Sequence, residues 1–196
     1  MSGLTGSTPA DGILAIGTLD GQILLLDSTH RLLRTIQAFD HDWVESLAFS
    51  PDGHYLASGS KGGRSGYRGE DGSQHQVNHT DTLKIWSVAD GTLTASCSEL
   101  VRNMGTSINS VAWSPDSRWL AFTGYNDVHL LDIRAPQSVK MLMQFSQGSG
   151  QWQYSSQGIA FSPDGKRLAV TGDKLAFVIP FGEDADLGTS DEASWK

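Results

Sequence analysis

The tripeptide Ser-Pro-Asp occurs three times, at Ser50-Pro51-Asp52, Ser114-Pro115-Asp116 and Ser162-Pro163-Asp164. Each copy closes a short apolar run: Leu47-Ala48-Phe49, Val111-Ala112-Trp113 and Ile159-Ala160-Phe161. Four residues after each Asp comes Leu-Ala, at Leu56-Ala57, Leu120-Ala121 and Leu168-Ala169. A weaker copy, Thr8-Pro9-Ala10-Asp11-Gly12, precedes Leu14-Ala15. The Asp-to-Asp spacings are 41 (11 to 52), 64 (52 to 116) and 48 (116 to 164). A repeat of this kind limits the fold more than any single residue does. A unit of about forty residues cannot bury its own apolar face, so it must stack on its neighbours.

The uneven spacings have local causes. Residues 61–80, KGGRSGYRGEDGSQHQVNHT, are Gly-rich and polar with no apolar period, so they read as a loop. Without those twenty residues the spacing of 64 becomes 44. The spacing of 48 reflects a longer connection at 146–155. Between turns, the segments Tyr55–Ser60, Thr82–Val88, Val128–Ile133 and Arg167–Thr171 are short, apolar-rich and bounded by Gly, Asp, Ser or Pro. That is the strand signal, and no segment holds a helical period. The Ser-Pro-Asp turns have a mechanism: Pro sets φ and Asp bonds nearby backbone N–H groups. Glycine, 22 of 196 residues, supplies positive φ. An all-β chain with one four-stranded unit per repeat follows, as in a propeller blade.

Composition narrows the function classes. The net charge of −8 weighs against a protein that binds nucleic acid by neutralising phosphates. Half of it, −4, sits in residues 182–196. That segment is predicted to be a flexible acidic tail, with Trp195 as a potential anchor. Cys97 stands alone, which excludes an internal disulfide framework and a multi-Cys zinc site. It falls in a predicted outer strand and reads as an ordinary thiol. The N-terminal sequence lacks a basic region followed by an apolar core, and no apolar run is long enough to span a bilayer. The expectation is an intracellular protein, cytoplasmic or nuclear, with no membrane partner.

The segment His41–Ser60, HDWVESLAFSPDGHYLASGS, resumes after the insertion as DTLKIWSVADG from Asp81. Joined, the two resemble a WD40 repeat. The match uses the His before the first strand, the SPDG turn, the Leu-Ala-Ser-Gly-Ser strand, Asp81 and Trp86; Ser87 stands where the usual Asp follows the Trp. The other units match less fully: Leu26 replaces the Trp in unit one, and no His introduces unit three. The stretch Trp113–Ile133 is also similar to TolB-type and peptidase-associated propellers. The resemblance to WD40 repeats is the stronger, because unit two carries nearly the whole pattern. It implies a WD40-like β-propeller over residues 1–181, with 182–196 as tail. Lettering strands a to d from the axis outward, the chain reads bcd, abcd, abcd, abc. That is about four blades, an open or partial ring where the family usually closes seven. A longer polypeptide, a second copy or a covering partner would each complete it.

Candidate sites follow from the same residues. His41, Ser58 and Asp81 are the types that form a nucleophile–base–orienter trio. The resemblance implies another role, an internal hydrogen-bond chain with Trp86 that ties one blade together. No catalytic residue, metal ligand or cofactor site is therefore assigned, and an enzyme is not expected. His75 and His79, with Asp71 and Asp81 nearby, would share a face only on a helix, which Gly66, Gly69 and Gly72 oppose. In the family's topology the b–c and d–a connections share the upper face. The insertion, with Arg64, Tyr67 and Arg68, rises there. So do Asp42 and Trp43, and Gln151, Trp152 and Tyr154. Exposed aromatics on loops are typical interaction anchors. The expected function is a non-enzymatic protein–protein interaction scaffold, a subunit or fragment of a multi-subunit complex or homo-oligomer. The alternatives are an enzyme-associated propeller and an RNA-binding propeller; Glu70 and Asp71 leave the insertion only +1 for the latter.

Overall fold

The computed structural model describes residues 6–7, 12–40, 42–68, 73–79, 82–97, 107–124, 127–136, 138–144, 156–172 and 176–182. Among them every regular element is a β-strand.

The Ser-Pro-Asp repeat builds the same turn each time. Ser50 Oγ donates to Asp52 Oδ1 (2.5 Å) and accepts the Tyr55 N–H (2.9 Å), while Asp52 Oδ1 also accepts the His54 N–H (3.0 Å). Ser162 and Asp164 repeat this with Arg167 and Lys166, and Ser114 and Asp116 with Trp119 and Arg118. The two side chains thus satisfy the backbone donors that a tight turn leaves unpaired. The fourth position needs positive φ: Gly53 (75°), Gly165 (67°) and, in the middle copy, Ser117 (59°). Ser117 is retained there with a contact of its own, since its Oγ accepts the Asp52 N–H of the neighbouring turn at 3.0 Å.

Each turn joins the two inner strands of an antiparallel sheet. The first blade is β1 (Gly6–Ser7), β2 (Leu14–Gly17), β3 (Gln22–Leu26) and β4 (Leu32–Gln37), paired in that order. The expected bcd unit therefore has an a strand after all, two residues long. The second blade is β5 (Val44–Phe49), β6 (Tyr55–Ser60), β9 (Leu83–Ser87) and β10 (Leu93–Ser96). The third is β11 (Ser110–Trp113), β12 (Trp119–Thr123), β13 (Asp127–Asp132) and β14 (Val139–Gln144). The fourth has three strands, β15 (Ser156–Phe161), β16 (Arg167–Gly172) and β17 (Ala176–Pro180). The molecule is a partial propeller of four blades, and its described residues do not close a ring.

The insertion differs from the loop expected at 61–80. Residues β7 (Gly63–Arg68) and β8 (Gln74–His79) form a separate two-stranded hairpin between β6 and β9. Arg64 pairs with Asn78, Tyr67 with His75, and Arg68 with Gln74. The physical reason is that a ladder needs backbone N–H and C=O groups, which polar residues supply as well as apolar ones. No apolar period marks such a strand.

Blade stacking creates three cores. Alternation sends Leu56 and Trp86 toward the first blade and Ala57 and Ile85 toward the third. Between blades one and two lie Ala15, Ile23, Leu25, Ile36, Leu47, Phe49, Leu56 and Trp86. Between two and three lie Ala57, Leu83, Ile85, Ile108, Trp113, Leu120, Phe122 and Leu131. Between three and four lie Ala121, Val128, Leu130, Ile159, Leu168 and Val170. Cys97 directly follows the second blade's outer strand and is 1% exposed in the middle core. Trp113 donates its Nε1–H across to Ala48 O at 2.9 Å, linking blades two and three.

Candidate protein-interaction site

The upper face is fixed by backbone contacts. In the connection from β4 to β5, the Ala38 and Phe39 N–H groups both donate to Gly21 O (2.9 and 3.0 Å), and Val44 N–H donates to Thr18 O (3.0 Å). Gly21 has φ 81°, and a Cβ there would lie 1.8 Å from Phe39 O. Glycine is thus required for this close approach. In the second blade, Lys61 N–H donates to Trp43 O at 3.3 Å. The d–a and b–c connections therefore meet on one face.

On that face Trp43 stands at the root of the β7–β8 hairpin. It is 42% exposed, and Lys61 Nζ sits 4.2 Å from its ring centroid. A cation over an indole face is attracted by the ring quadrupole, which holds both groups at the surface. Asp42 is 4% exposed, which corrects its expected place among the exposed anchors. Its Oδ1 accepts the Trp43 N–H (2.8 Å) and its Oδ2 accepts the Gly62 N–H (2.9 Å). A buried carboxylate must be satisfied. Asp42 does this by latching the hairpin base to the Trp43 loop. Arg64, Tyr67 and Arg68 lie on the strand β7 that rises from this base. Gln151, Trp152 and Tyr154 lie outside the described residues.

Of the expected structural network, Trp86 Nε1–H donates to Ser58 Oγ at 2.9 Å, both side chains buried. His41 and Asp81 lie outside the described residues. Sequence reasoning missed Lys84, which extends the same seam. Its Nζ donates to Ala38 O of the first blade at 2.8 Å, 5.2 Å from the Phe39 ring. It also missed a buried pair in the third blade. His129 Nε2 lies 3.1 Å from Asp127 Oδ1, short of hydrogen-bond geometry, with the imidazole stacked on Phe122 at 5.2 Å. The i, i+2 spacing of the two residues on a strand was the available signal. Both are at most 2% exposed, so no substrate reaches them. Among the described residues no group of three His, Cys, Asp or Glu side chains could hold a metal ion. No helix there is long and apolar enough to cross a membrane.

A family model described as "WD domain, G-beta repeat" matches residues 31–64, which hold β4, β5, β6 and the start of β7, and residues 99–127, which hold β11, β12 and the first residue of β13. Each match spans the two inner strands of a blade that stacks on its neighbours. The chain belongs to the WD40-repeat β-propeller family. Over 134 residues this WD40 chain is 33% identical to the WD repeat-containing protein 26 homolog of Drosophila melanogaster, covering 68% of the chain and 18% of that protein. Over 55 residues it is 44% identical to the echinoderm microtubule-associated protein-like 2 of Rattus norvegicus, covering 28% of the chain and 8% of that protein. The WD40 chain thus spans less than a fifth of the length of these relatives. Among solved structures it superposes on the β-propeller domain of Cps50 (Swd1) from Myceliophteria thermophila with a TM-score of 0.65 and 18% identity. The match covers 87% of this chain and 49% of that one.

Proposed function

We propose that this WD40 chain is a non-enzymatic protein-interaction scaffold, one part of a larger assembly. The observation that carries the reading is the exposed Trp43, held under Lys61 at the base of a projecting hairpin. A rigid aromatic gives much contact area at low entropic cost, and a hairpin carrying Arg64, Tyr67 and Arg68 extends that contact. On the family resemblance we also assign Gln151, Trp152 and Tyr154 to partner binding. The same resemblance assigns His41 and Asp81 a structural rather than a catalytic role. Residues 1–181 form the blades and 182–196 an acidic tail, and the protein works inside the cell. Family membership favours this reading over an enzyme-associated propeller.

The test compares wild-type protein with Trp43→Ala and with the Arg64→Ala, Arg68→Ala double variant in affinity capture from extract. The expected result is one set of captured proteins, reduced at least tenfold in both variants while their melting temperatures stay unchanged. Retention by both variants would overturn the site. Salt-sensitive RNA capture lost in the arginine variant would replace the reading with the nucleic-acid alternative.

A further inference from the structure

The pairing registers place one row of residues on the same face of three successive blades. Ala48, Ala57 and Ile85 stand side by side across β5, β6 and β9. Ala112, Ala121 and Leu130 do so across β11, β12 and β13. Ala160, Ala169 and Val178 do so across β15, β16 and β17. In blades two and three the row is covered by the next blade: Ala57 and Ile85 are 0% exposed, Ala121 0% and Leu130 3%. In blade four Val178 is 62% exposed, with Ala160 and Ala169 exposed beside it. The small side chains form a shallow surface shaped to receive a blade.

The opposite face repeats as well. Leu56 pairs with Trp86, Leu120 with Leu131, and Leu168 with Ile179; Leu56, Leu120, Leu131 and Leu168 are at most 1% exposed. The equivalent pair in blade one is Leu14 with Leu26, flanked by the pair Ile16 and Leu24. All four side chains are partly exposed, and Leu32 beside them is 59% exposed. Blade one therefore shows the surface that blades two to four bury, and blade four shows the surface that receives it. Isolated apolar residues at a surface are ordinary, but a contiguous apolar sheet face marks a contact. The chain also superposes on 49% of a propeller domain, so two copies supply about one ring.

We propose that the exposed face of blade four docks on the exposed face of blade one of a second copy of this chain. The contact is head-to-tail, and two such contacts close an eight-bladed ring. It continues the stacking already present at the three internal interfaces, so no new kind of packing is required. The proposal concerns the flanks of the blades and stands apart from the Trp43 rim.

Light scattering on the full chain decides it. The expected mass is about 42 kDa, twice 21.1 kDa. Val178→Asp and Leu14→Lys each reduce this to about 21 kDa with an unchanged circular dichroism spectrum. Both should fold: Val178 is exposed and Leu14 is partly exposed, whereas Leu56, Leu120 and Leu168, which match Leu14 in the other blades, are buried under a neighbouring blade. Mixing the two variants restores the larger mass, because one contact is then wild type on both sides and the other faces Asp with Lys. A wild-type mass of 21 kDa overturns the proposal. So does a dimer that survives either substitution, since a face docking on its own copy would need only one of the two surfaces. A ladder of higher masses overturns ring closure.

Discussion

Single side chains in this fold act mainly by satisfying buried backbone and indole groups. Ser58 accepts the Trp86 N–H between the first two blades, and both are buried. Ser58→Ala leaves that donor without its partner. The expected cost is about 1–3 kcal/mol, read as a lower urea midpoint at unchanged slope. Asp132 shows the same economy with charge. Hydrogen bonds from the Arg134 side chain, helped by the Arg134 N–H and by Arg118 at 3.2 Å, hold its carboxyl down to about 2 from the ordinary 3.8. A depressed carboxyl contributes stability above the unfolded value, which is lost as pH falls from about 3.8 toward 2. An NMR titration should find the low value, and Arg134→Ala should raise it. These contacts could not be read from the sequence in full. The Asp-Ile-Arg spacing suggests the Arg134 bond, whereas Arg118 arrives from the turn before β12. Asp42 is the clearest miss: beside Trp43 it looks like a loop charge, and only the position of Gly62 twenty residues on reveals a buried latch.

At the scale of elements, turn chemistry was the most legible feature. Ser-Pro-Asp specifies its own hydrogen bonds within six residues, so nothing distant can overrule it. Glycines in such turns are not equivalent, however. Gly53 and Gly21 both have positive φ, at 75° and 81°. A Cβ on Gly53 meets open space, whereas one on Gly21 would strike the Phe39 carbonyl. Gly53→Ala should therefore cost only the conformational term, about 1–2 kcal/mol. Gly21→Ala should cost clearly more, because the β4–β5 connection must move. Thermal melting of the two variants side by side measures the difference. The β7–β8 hairpin was not legible as strands, because its polar residues carry no period. The short β1 escaped notice for a related reason, since two residues cannot show alternation.

At the scale of the molecule, the three cores are separate clusters, each owned by two adjacent blades. Ala57 and Ala121 occupy the same register position in different clusters, both 0% exposed. Either one changed to Leu overfills its interface, at an expected cost of about 1–3 kcal/mol. Because the clusters share no residues, the double variant should lose the sum of the two to within about 0.5 kcal/mol. Chemical denaturation of the four proteins tests this, and strong coupling would mean that the stack behaves as one core. Such additivity is the expected behaviour of a structure in which each repeat touches only its neighbours.

The sequence by itself determined the blade. Period, turn residues and Leu-Ala strands are local or repeat at fixed spacing, so their meaning survives without coordinates. It also determined the order of the four strands in the second and third blades, through the family pattern of unit two. Tertiary structure decided which copy of a repeated residue is buried. Ala57, Ala121 and Ala169 are alike in sequence, yet the first two lie under a neighbouring blade and the third is exposed. The physical reason is that burial belongs to a pair of surfaces. A residue's own neighbours in the chain fix the face it occupies, and the next blade fixes whether that face meets protein or water.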